Sequence, residues 1–349
     1  MSATITNPAI PKGSIVLITG VNGWVGSQVA NQFLAAGYRV RGTVRDPVKS
    51  AWLTSLFNSK YGSGLIELVA VSDMTVPGAY DEVVNGTSAF IHTASIVTFD
   101  QNPDNVIPPT VAGALNGIKA AYGEPTVKRF VLTSSSAAVL VPETGQSDDI
   151  VLDETSYADE LVRRIETDLP EAGLVRACVI YGASKALAEQ AVWKFVEENQ
   201  SRRPDLVVNS VLPAQVFGER LDPINQGSPT TSASIPALWN GQIDALKLQL
   251  PQYTIHAKDV GVLHVAGAIH PDARGRRIYG YAHKYNWNMI LDILRHQNRG
   301  REFVRDFQGG QTRTVVRTGD YSERLLRDIS GHGWTSLEDI VRDNSKGLA

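Results

Sequence analysis

Residues 14–36, SIVLITGVNGWVGSQVANQFLAA, combine a strand pattern, a glycine turn and a helix pattern. The unbroken apolar run 15–18 is typical of a strand buried on both faces of a parallel sheet. Beyond the glycines, apolar residues recur at helical spacing up to Leu34, and Gly37 favours the end of the helix. A strand, a glycine turn and a helix start predict an anion site, because glycines let phosphates approach the main chain and the helix N-terminus presents free N–H groups.

The glycines of this turn, Gly20, Gly23 and Gly26, recur at every third residue. That spacing differs from the G-x-G-x-x-G dinucleotide fingerprint, so the glycines alone are a weak signal and a plain tight turn is the alternative. The flanking strand and helix favour the phosphate-binding interpretation.

The composition is that of an ordinary globular protein, with 349 residues, 43% hydrophobic residues and 20% charged residues. A net charge of −3 argues against a nucleic-acid surface. The single cysteine, Cys178, excludes an internal disulfide and fits a reducing compartment, so we expect a cytoplasmic protein. No run of about 18 apolar residues and no apolar signal core occur, so no membrane association is expected. The seven histidines have no metal-ligand spacing, and no metal is expected.

Patterns typical of further strands follow the first one. They occur at 40–44, 66–71, 89–92, 129–132 and 206–212. Helical patterns alternate with them, which predicts an α/β fold with a doubly wound parallel sheet. Ligands of such sheets bind beyond the carboxyl ends of the strands. Arg45, Asp73, the turn 93–95 and the serines 134–136 all follow strands, so we expect them at the same edge as the glycine turn.

The residue that closes the second strand distinguishes the two nicotinamide dinucleotides. An acidic residue there bonds the ribose 2′-hydroxyl of NAD, whereas an arginine accommodates the 2′-phosphate of NADP. Arg45 lies just past this strand, with Lys49 one helical turn further on. The acidic Asp46 between them weakens the preference for NADP over NAD. The two cations favour NADPH.

Tyr181 and Lys185 are four residues apart on a helix predicted over 177–199, so their side chains lie on one face. A cation near a phenol favours the phenolate, and we expect Lys185 to lower the tyrosine pKa from its ordinary value of about 10. A tyrosine tuned in this way is suited to proton transfer. Such a pair is common in helices by chance, and it becomes a candidate catalytic pair because it follows a glycine turn and a strand that ends in serines.

Three motifs stand in the order and at the separations of a known family: TGxxGxxG at 19–26, LTSS at 132–135 and YxxxK at 181–185. The sequence resembles the extended short-chain dehydrogenase/reductases over nearly its whole length. Segments such as GTVR at 42–45 and DM at 73–74 are similar to the dihydroflavonol-reductase-like branch, and within it to fungal and yeast NADPH-dependent aldehyde and ketone reductases.

The resemblance implies four catalytic residues. Tyr181 protonates the carbonyl oxygen, and Lys185 binds the nicotinamide ribose and holds the tyrosine pKa down. Ser135 bonds the substrate oxygen, with its two serine neighbours as alternatives for that role. Asn116 supports a water relay to the lysine, with a simple structural role in its helix as the alternative.

The resemblance also implies the residues around the ligands. The cofactor-binding residues are Thr19, Gly20, Asn22, Gly23, Trp24, Val25, Gly26, Arg45, Lys49, Asp73, Met74, Thr93, Ala94, Ser95, Thr133, Tyr181, Lys185, Pro213 and Ala214. The substrate-binding residues are Val97, Phe99, Ser135 and Gln215.

We expect a Rossmann-type NADP-binding domain over 1–218, with a surface excursion at 142–175, and a smaller C-terminal α/β substrate domain over 219–349. Segments at about 252–270 are expected to return to the first domain. Whether the chain is a monomer or a homodimer is left open by the sequence.

The expected function is NADPH-dependent reduction of small aldehydes and ketones, including aryl ketones and keto esters. One alternative is an NAD-dependent sugar-nucleotide epimerase or dehydratase of the same fold. The other is a non-catalytic NADPH-sensing regulator, which could dispense with the tyrosine and the lysine.

Overall fold

The computed structural model describes residues 5–142, 149–167, 171–227 and 230–348. The excursion predicted at 142–175 therefore lies partly outside the described residues.

Strands and helices alternate along the described chain. The strands are β1 (Ile15–Thr19), β2 (Arg39–Val44), β3 (Ile66–Ala70), β4 (Ala89–His92), β5 (Arg129–Thr133), β6 (Val151–Leu152), β7 (Val207–Pro213), β8 (Gln215–Phe217), β9 (Gln252–His256), β10 (Arg277–Gly280), β11 (His283–Tyr285) and β12 (Val315–Val316). The α-helices are α1 (Trp24–Ala35), α2 (Ala51–Tyr61), α3 (Ile107–Gly123), α4 (Asp159–Glu166), α5 (Gly173–Asn199), α6 (Pro223–Gln226), α7 (Ser234–Trp239), α8 (Ala257–Ile269), α9 (Trp287–Gln297), α10 (Gly319–Ser330) and α11 (Leu337–Ser345).

The central sheet has seven strands in the order β10-β7-β5-β4-β1-β2-β3, and every neighbouring pair is parallel. The doubly wound parallel sheet expected from the sequence is confirmed. The strand order reverses at β1, which pairs with β2 on one side and with β4 on the other. The crevice at such a reversal is where sheets of this kind bind ligands.

Helices cover both faces of the sheet, which explains the apolar runs of its central strands. Every residue of β4 and β7 is buried. Helix α8 packs closely against α1: a Cβ on Gly261 would lie 2.7 Å from the main-chain oxygen of Gln28. Helix α8 also contacts β5 and β7 of the central sheet, while the expected return of about 252–270 to the first domain stays a prediction.

Strand β10 extends the sheet from a part of the chain that we had placed in the C-terminal domain. Arg277 pairs with Ser210 of β7, and Gly280 pairs with Pro213. The division at 218 and 219 stays a prediction, but residues 277–280 belong to the central sheet and not to a separate layer.

The remaining C-terminal elements form a second, smaller layer. Strands β8, β9 and β11 make a three-stranded sheet with β9 in the middle. Beside this sheet, Phe217, Trp287, Leu291 and Ile340 are among the buried residues of a separate apolar cluster formed largely by α7, α9 and α11.

Gly26 is the residue through which α1 approaches the end of β1. A Cβ at this position would overlap the Gly20 carbonyl oxygen and lie 2.9 Å from Thr93 Oγ1. Gly123, at the end of α3, has open space in the same direction.

We therefore expect Gly26→Ala to lower the free energy of unfolding by roughly 1–3 kcal/mol, the usual cost of overpacking. Gly123→Ala is the matched control and should leave that free energy unchanged or slightly increased, since alanine restricts the unfolded backbone more than glycine does and adds no clash to the folded chain. Urea denaturation of both variants measures the difference. Equal stability of the two variants would contradict a close approach at Gly26.

Candidate active site

The glycine turn lies at the point where the strand order reverses. Gly20 adopts a left-handed conformation, with φ of +61°, and Gly23 is the N-cap residue of α1. No side chain caps the helix, so the start of α1 keeps N–H groups that point into the crevice. This is the geometry of a phosphate site at a helix N-terminus.

Thr19 ties the end of β1 to the turn after β4. Its hydroxyl oxygen accepts hydrogen bonds from the main-chain N–H groups of Thr93, at 3.0 Å, and Ala94, at 3.1 Å. The Thr93 hydroxyl donates in return to the Thr19 carbonyl. These bonds place the turn 93–95 beside the glycine turn, as predicted, and the buried hydroxyl of Ser95 has no hydrogen-bond partner within the described chain.

Residues 219–226 cross the start of α1, a contact that the sequence did not indicate. The main-chain oxygen of Glu219 accepts from the indole of Trp24, at 3.2 Å, and from Gln28, at 2.9 Å. Gln226 donates to the hydroxyl of Ser27, at 2.8 Å. Trp24 is therefore buried by the chain's own later segment.

Two other residues of the glycine turn make contacts of their own. Asn22 bonds Ser50 at 3.1 Å, which links the glycine turn to the start of α2. Val25 is partly buried and packs against the core.

The two cations expected near the ribose lie after β2. Arg45 is exposed. Lys49 is 85% exposed and lies 3.8 Å from Asp46, whose carboxylate also accepts from the Lys49 main-chain N–H at 3.1 Å. Both cations are accessible to a ligand at this edge.

Asp73 follows β3, at the same edge of the sheet as Arg45. Its side chain is exposed, and hydrogen bonds from the hydroxyl and the main-chain N–H of Thr75 lower the pKa of the carboxyl. One carboxylate oxygen of Asp73 is therefore occupied by hydrogen bonds within the turn 73–75.

Asn116 of α3 uses its side-chain amide to contact the segment that follows β3. Its side-chain amide donates to the main-chain oxygens of Met74 and Val76, both at 2.9 Å. These bonds join α3 to the segment after β3, and Met74 packs against Gly113 of the same helix. In this structure the amide is a structural tie, and the catalytic role implied for Asn116 stays a prediction.

Ser135, Tyr181 and Lys185 meet at the end of β5. The Ser135 hydroxyl is hydrogen-bonded to the Tyr181 phenol, and its oxygen also accepts from the Ala137 N–H at 3.1 Å. One turn along α5, the Lys185 ammonium donates to the main-chain oxygen of Thr133 at 2.8 Å. Of the three serines in the run, it is the middle one that contacts the tyrosine.

The electrostatics of this cluster differ from the sequence expectation. Burial raises the pKa of Tyr181 above its ordinary value, and the bond to Ser135 opposes that rise. Burial also lowers the pKa of Lys185 to about 8, partly offset by the negative charge of Glu189. The expected lowering of the tyrosine pKa by the lysine is therefore wrong for the folded chain, in which desolvation dominates.

His264, which no sequence pattern indicated, contacts the end of β5. His264 Nε2 lies 2.7 Å from the hydroxyl of Thr133, and its Nδ1 lies 2.8 Å from the main-chain oxygen of Val260. Burial lowers the pKa of His264 to about 4, so the ring is neutral, with Nδ1–H donating to the carbonyl and Nε2 accepting from the threonine.

Two of the residues expected to contact substrate lie at the mouth of this site. Phe99 has its ring centre 5.8 Å from that of Tyr181, and it adopts a left-handed conformation with φ of +52°, which is strained for an aromatic residue. Val97 is 41% exposed beside it in the chain.

On the other side, a small cleft lies next to the serines. Its lining residues are Ser136, Leu140, Pro142, Ala214, Gln252, Tyr253, Tyr281, Thr312 and Thr314. Pro213 and Ala214 are fixed beside this cleft by β10. Pro213 pairs with Gly280, and the Ala214 N–H donates to the main-chain oxygen of Gly280 at 3.0 Å. Gln215 contacts Gln249 at 3.4 Å.

The described residues contain no group of three or more His, Cys, Asp or Glu side chains that could hold a metal ion. Within the same part of the chain, none of the helices is both long enough and apolar enough to span a bilayer.

The parallel sheet, the glycine turn at its reversal point and the serine, tyrosine and lysine cluster at the carboxyl edge define a Rossmann-type protein of the dehydrogenase and reductase class. The model of the NAD dependent epimerase/dehydratase family matches residues 16–279. The chain belongs to this family, and the resemblance to extended short-chain dehydrogenase/reductases is confirmed.

Several relatives are similar over almost the whole chain. Aldehyde reductase 2 of Sporidiobolus salmonicolor is 40% identical over 343 residues, covering 98% of each chain. Ketoreductase adrE of Penicillium roqueforti is 36% identical, covering 95% of this chain and 96% of the relative. The crystal structure of yeast methylglyoxal/isovaleraldehyde reductase Gre2 complexed with NADPH has a TM-score of 0.78 at 22% identity, covering 95% of this chain and 97% of the other, which supports the fold.

The structural role of Asn116 has a measurable consequence. Asn116→Ala removes two hydrogen bonds to main-chain oxygens, and we expect it to lower the free energy of unfolding by about 1–2 kcal/mol. Lys119→Ala changes an exposed residue of the same helix and should alter stability by less than about 0.5 kcal/mol. Thermal and urea denaturation compare the two variants. An Asn116→Ala protein with the wild-type free energy of unfolding would argue against the structural role of the two hydrogen bonds.

Proposed function

We propose that this chain reduces the carbonyl group of aldehydes and ketones, including aryl ketones and keto esters, with NADPH as hydride donor. The observation that carries the proposal is the hydrogen bond between Ser135 and Tyr181, one helical turn from Lys185, at the ligand-binding edge of the sheet. The similarity to a named aldehyde reductase along nearly the whole chain supports the reaction class.

The residues of the nucleotide site fit NADPH. Gly20 adopts the left-handed conformation of a tight turn, Gly26 lets α1 approach the end of β1, and the uncapped start of α1 suits a pyrophosphate. Within the described residues, Ser95 keeps a buried hydroxyl free to bond a ligand. Arg45 supplies an accessible cation for a 2′-phosphate. When bound, NADPH supplies the hydride of the reduction from nicotinamide C4.

Tyr181 holds the proton that the reduction consumes. Because burial raises its pKa, the phenol stays protonated at neutral pH and is ready to donate to the carbonyl oxygen. Ser135 donates its hydroxyl to the same oxygen and supports the negative charge that develops there. Lys185, with a pKa of about 8, is mostly cationic at neutral pH and favours the phenolate that remains after proton transfer.

Two other functions have less support. An NAD-dependent sugar-nucleotide epimerase or dehydratase would be favoured by an acidic residue directly after β2, where Arg45 stands. A non-catalytic NADPH-sensing regulator does not need a tyrosine hydrogen-bonded to a serine beside a lysine. The reductase therefore accounts for more of the site than either alternative.

The first test removes the proton donor. Tyr181→Phe should abolish the consumption of NADPH with a panel of aldehydes, aromatic ketones and keto esters, because the proton has no other donor at that position. Binding of NADPH, followed by its fluorescence, should stay nearly unchanged. Tyr61→Phe is the matched control, since the Tyr61 hydroxyl bonds Asn31 away from the cluster, and it should retain full activity. Wild-type rates for Tyr181→Phe would overturn the proposed mechanism.

The second test addresses the choice of cofactor. Arg45→Ala should raise the KM for NADPH roughly tenfold or more while leaving the KM for NADH unchanged, because only NADPH carries the 2′-phosphate. Arg39→Ala removes an exposed arginine at the opposite end of the same strand and should affect neither value. Initial-rate kinetics with both cofactors measure the change. An equal rise in the KM for NADH and for NADPH would show that Arg45 does not recognise the 2′-phosphate.

A further inference from the structure

Glu189 is a fully buried carboxylate on α5, one turn beyond Lys185 and two turns beyond Tyr181. It lies behind the site and is too far along the helix to be one of the motif residues. A carboxylate buried in this way is costly unless every lone pair has a donor, so its partners indicate what it stabilises.

Donors from three neighbouring strands surround this carboxylate. Ser134, directly after β5, donates to Oε2 at 2.7 Å, and Ser210 of β7 donates to Oε1 at 2.6 Å. Arg277 of β10 donates to both oxygens, at 2.8 and 3.0 Å. These bonds, with the ion pair, keep the pKa of Glu189 low despite its burial. The carboxylate is thus charged and fastens α5 to the ends or interiors of β5, β7 and β10.

Arg277 is satisfied by groups other than the carboxylate as well. Its Nη1 donates to the main-chain oxygens of Glu154, at 3.1 Å, and Ser156, at 2.6 Å, and its guanidinium lies 3.8 Å from the centre of the Tyr157 ring. The arginine therefore neutralises Glu189 and joins it to residues 154–157.

Ser134 stands between the two residues that the catalytic cluster uses. Thr133 before it presents its main-chain oxygen to Lys185, and Ser135 after it presents its hydroxyl to Tyr181. A bond that fixes the Ser134 side chain therefore fixes the backbone on both sides. Ser210 donates to the same carboxylate from β7, and its neighbour Val211 accepts from the Ser134 N–H at 2.8 Å. Neither neighbour of Ser210 is hydrogen-bonded to Ser135, Tyr181 or Lys185 among the described hydrogen bonds.

We propose that Glu189 is a positioning residue that, through Ser134, fixes the end of β5 so that Ser135 meets Tyr181 and Thr133 meets Lys185. This inference rests on the proposed reductase function, and it concerns residues outside the three motifs. A purely structural ion pair would hold the fold equally through Ser134 and Ser210. A positioning role predicts that loss of the Ser134 hydroxyl lowers catalysis more than loss of the Ser210 hydroxyl does.

Ser134→Ala and Ser210→Ala form a matched pair. Each removes one hydroxyl from the same buried carboxylate, so their losses of stability in urea denaturation should be similar. Ser134→Ala should lower kcat for carbonyl reduction roughly tenfold with the KM for NADPH unchanged, while Ser210→Ala should stay within about twofold of the wild type. If both variants keep the wild-type kcat, or both lose it in proportion to stability, the positioning role is overturned.

A second measurement does not depend on turnover. The titratable groups near the phenol are Cys178 and Lys185 on α5, with His92 of β4 close to the lysine. Burial raises the pKa of Tyr181, and the Ser135 bond opposes that rise. In protein labelled with ¹³C-tyrosine, with Tyr181→Phe to assign the signal, Ser134→Ala should raise the pKa of Tyr181 and Ser210→Ala should not. An unchanged pKa in Ser134→Ala would overturn the positioning role. An inactive wild-type protein would instead count against the reductase function alone.

Discussion

The hydrogen bond from the Lys185 ammonium to the main-chain oxygen of Thr133 joins helix α5 to the end of strand β5. Because the helix is rigid, this bond also sets the place of Tyr181 one turn earlier, and because the chain continues directly from Thr133, it sets the place of Ser135 two residues later. The phenol and the serine hydroxyl can meet only if both the helix and the strand end are held in register. The supports of that register, Glu189 on one side and His264 on the other, are buried groups whose polar atoms are matched by partners.

Burial of charge governs the chemistry of this region. Lys185 and Glu189 are both buried on one face of α5, and each would be costly without its partners. The same desolvation raises the pKa of Tyr181 and lowers that of Lys185, so the resting cluster holds a protonated phenol beside a lysine that titrates near neutral pH. A phenol that keeps its proton at neutral pH suits a reductase, since the reaction consumes a proton in the direction of alcohol formation.

Much of the fold was accessible from local patterns. The apolar run 15–18 and the glycines after it predicted β1 and its turn, because a buried parallel strand needs a continuous apolar sequence and a phosphate turn needs residues without side chains. Likewise, the spacing of Tyr181 and Lys185 placed both on one helix face, because 3.6 residues per turn is a property of the backbone. Arg45 and the turn 93–95 were placed at the correct edge, because all parallel strands present their carboxyl ends there.

Other features depend on partners that are distant in the chain, and no local pattern encodes them. The sequence contains Asn116 at a plausible catalytic position, but the fold brings main-chain oxygens after β3 to its amide. Strand β10 joins the central sheet from beyond the predicted domain boundary, and with it comes Arg277, which lies 88 positions after Glu189 in the chain. The sign of the Tyr181 pKa shift was likewise set by burial. The sequence therefore determined which residues could do chemistry, because spacing and residue type are local. The tertiary structure decided which of them lie together and in what environment, because desolvation and hydrogen-bond partners arise only when separate segments pack together.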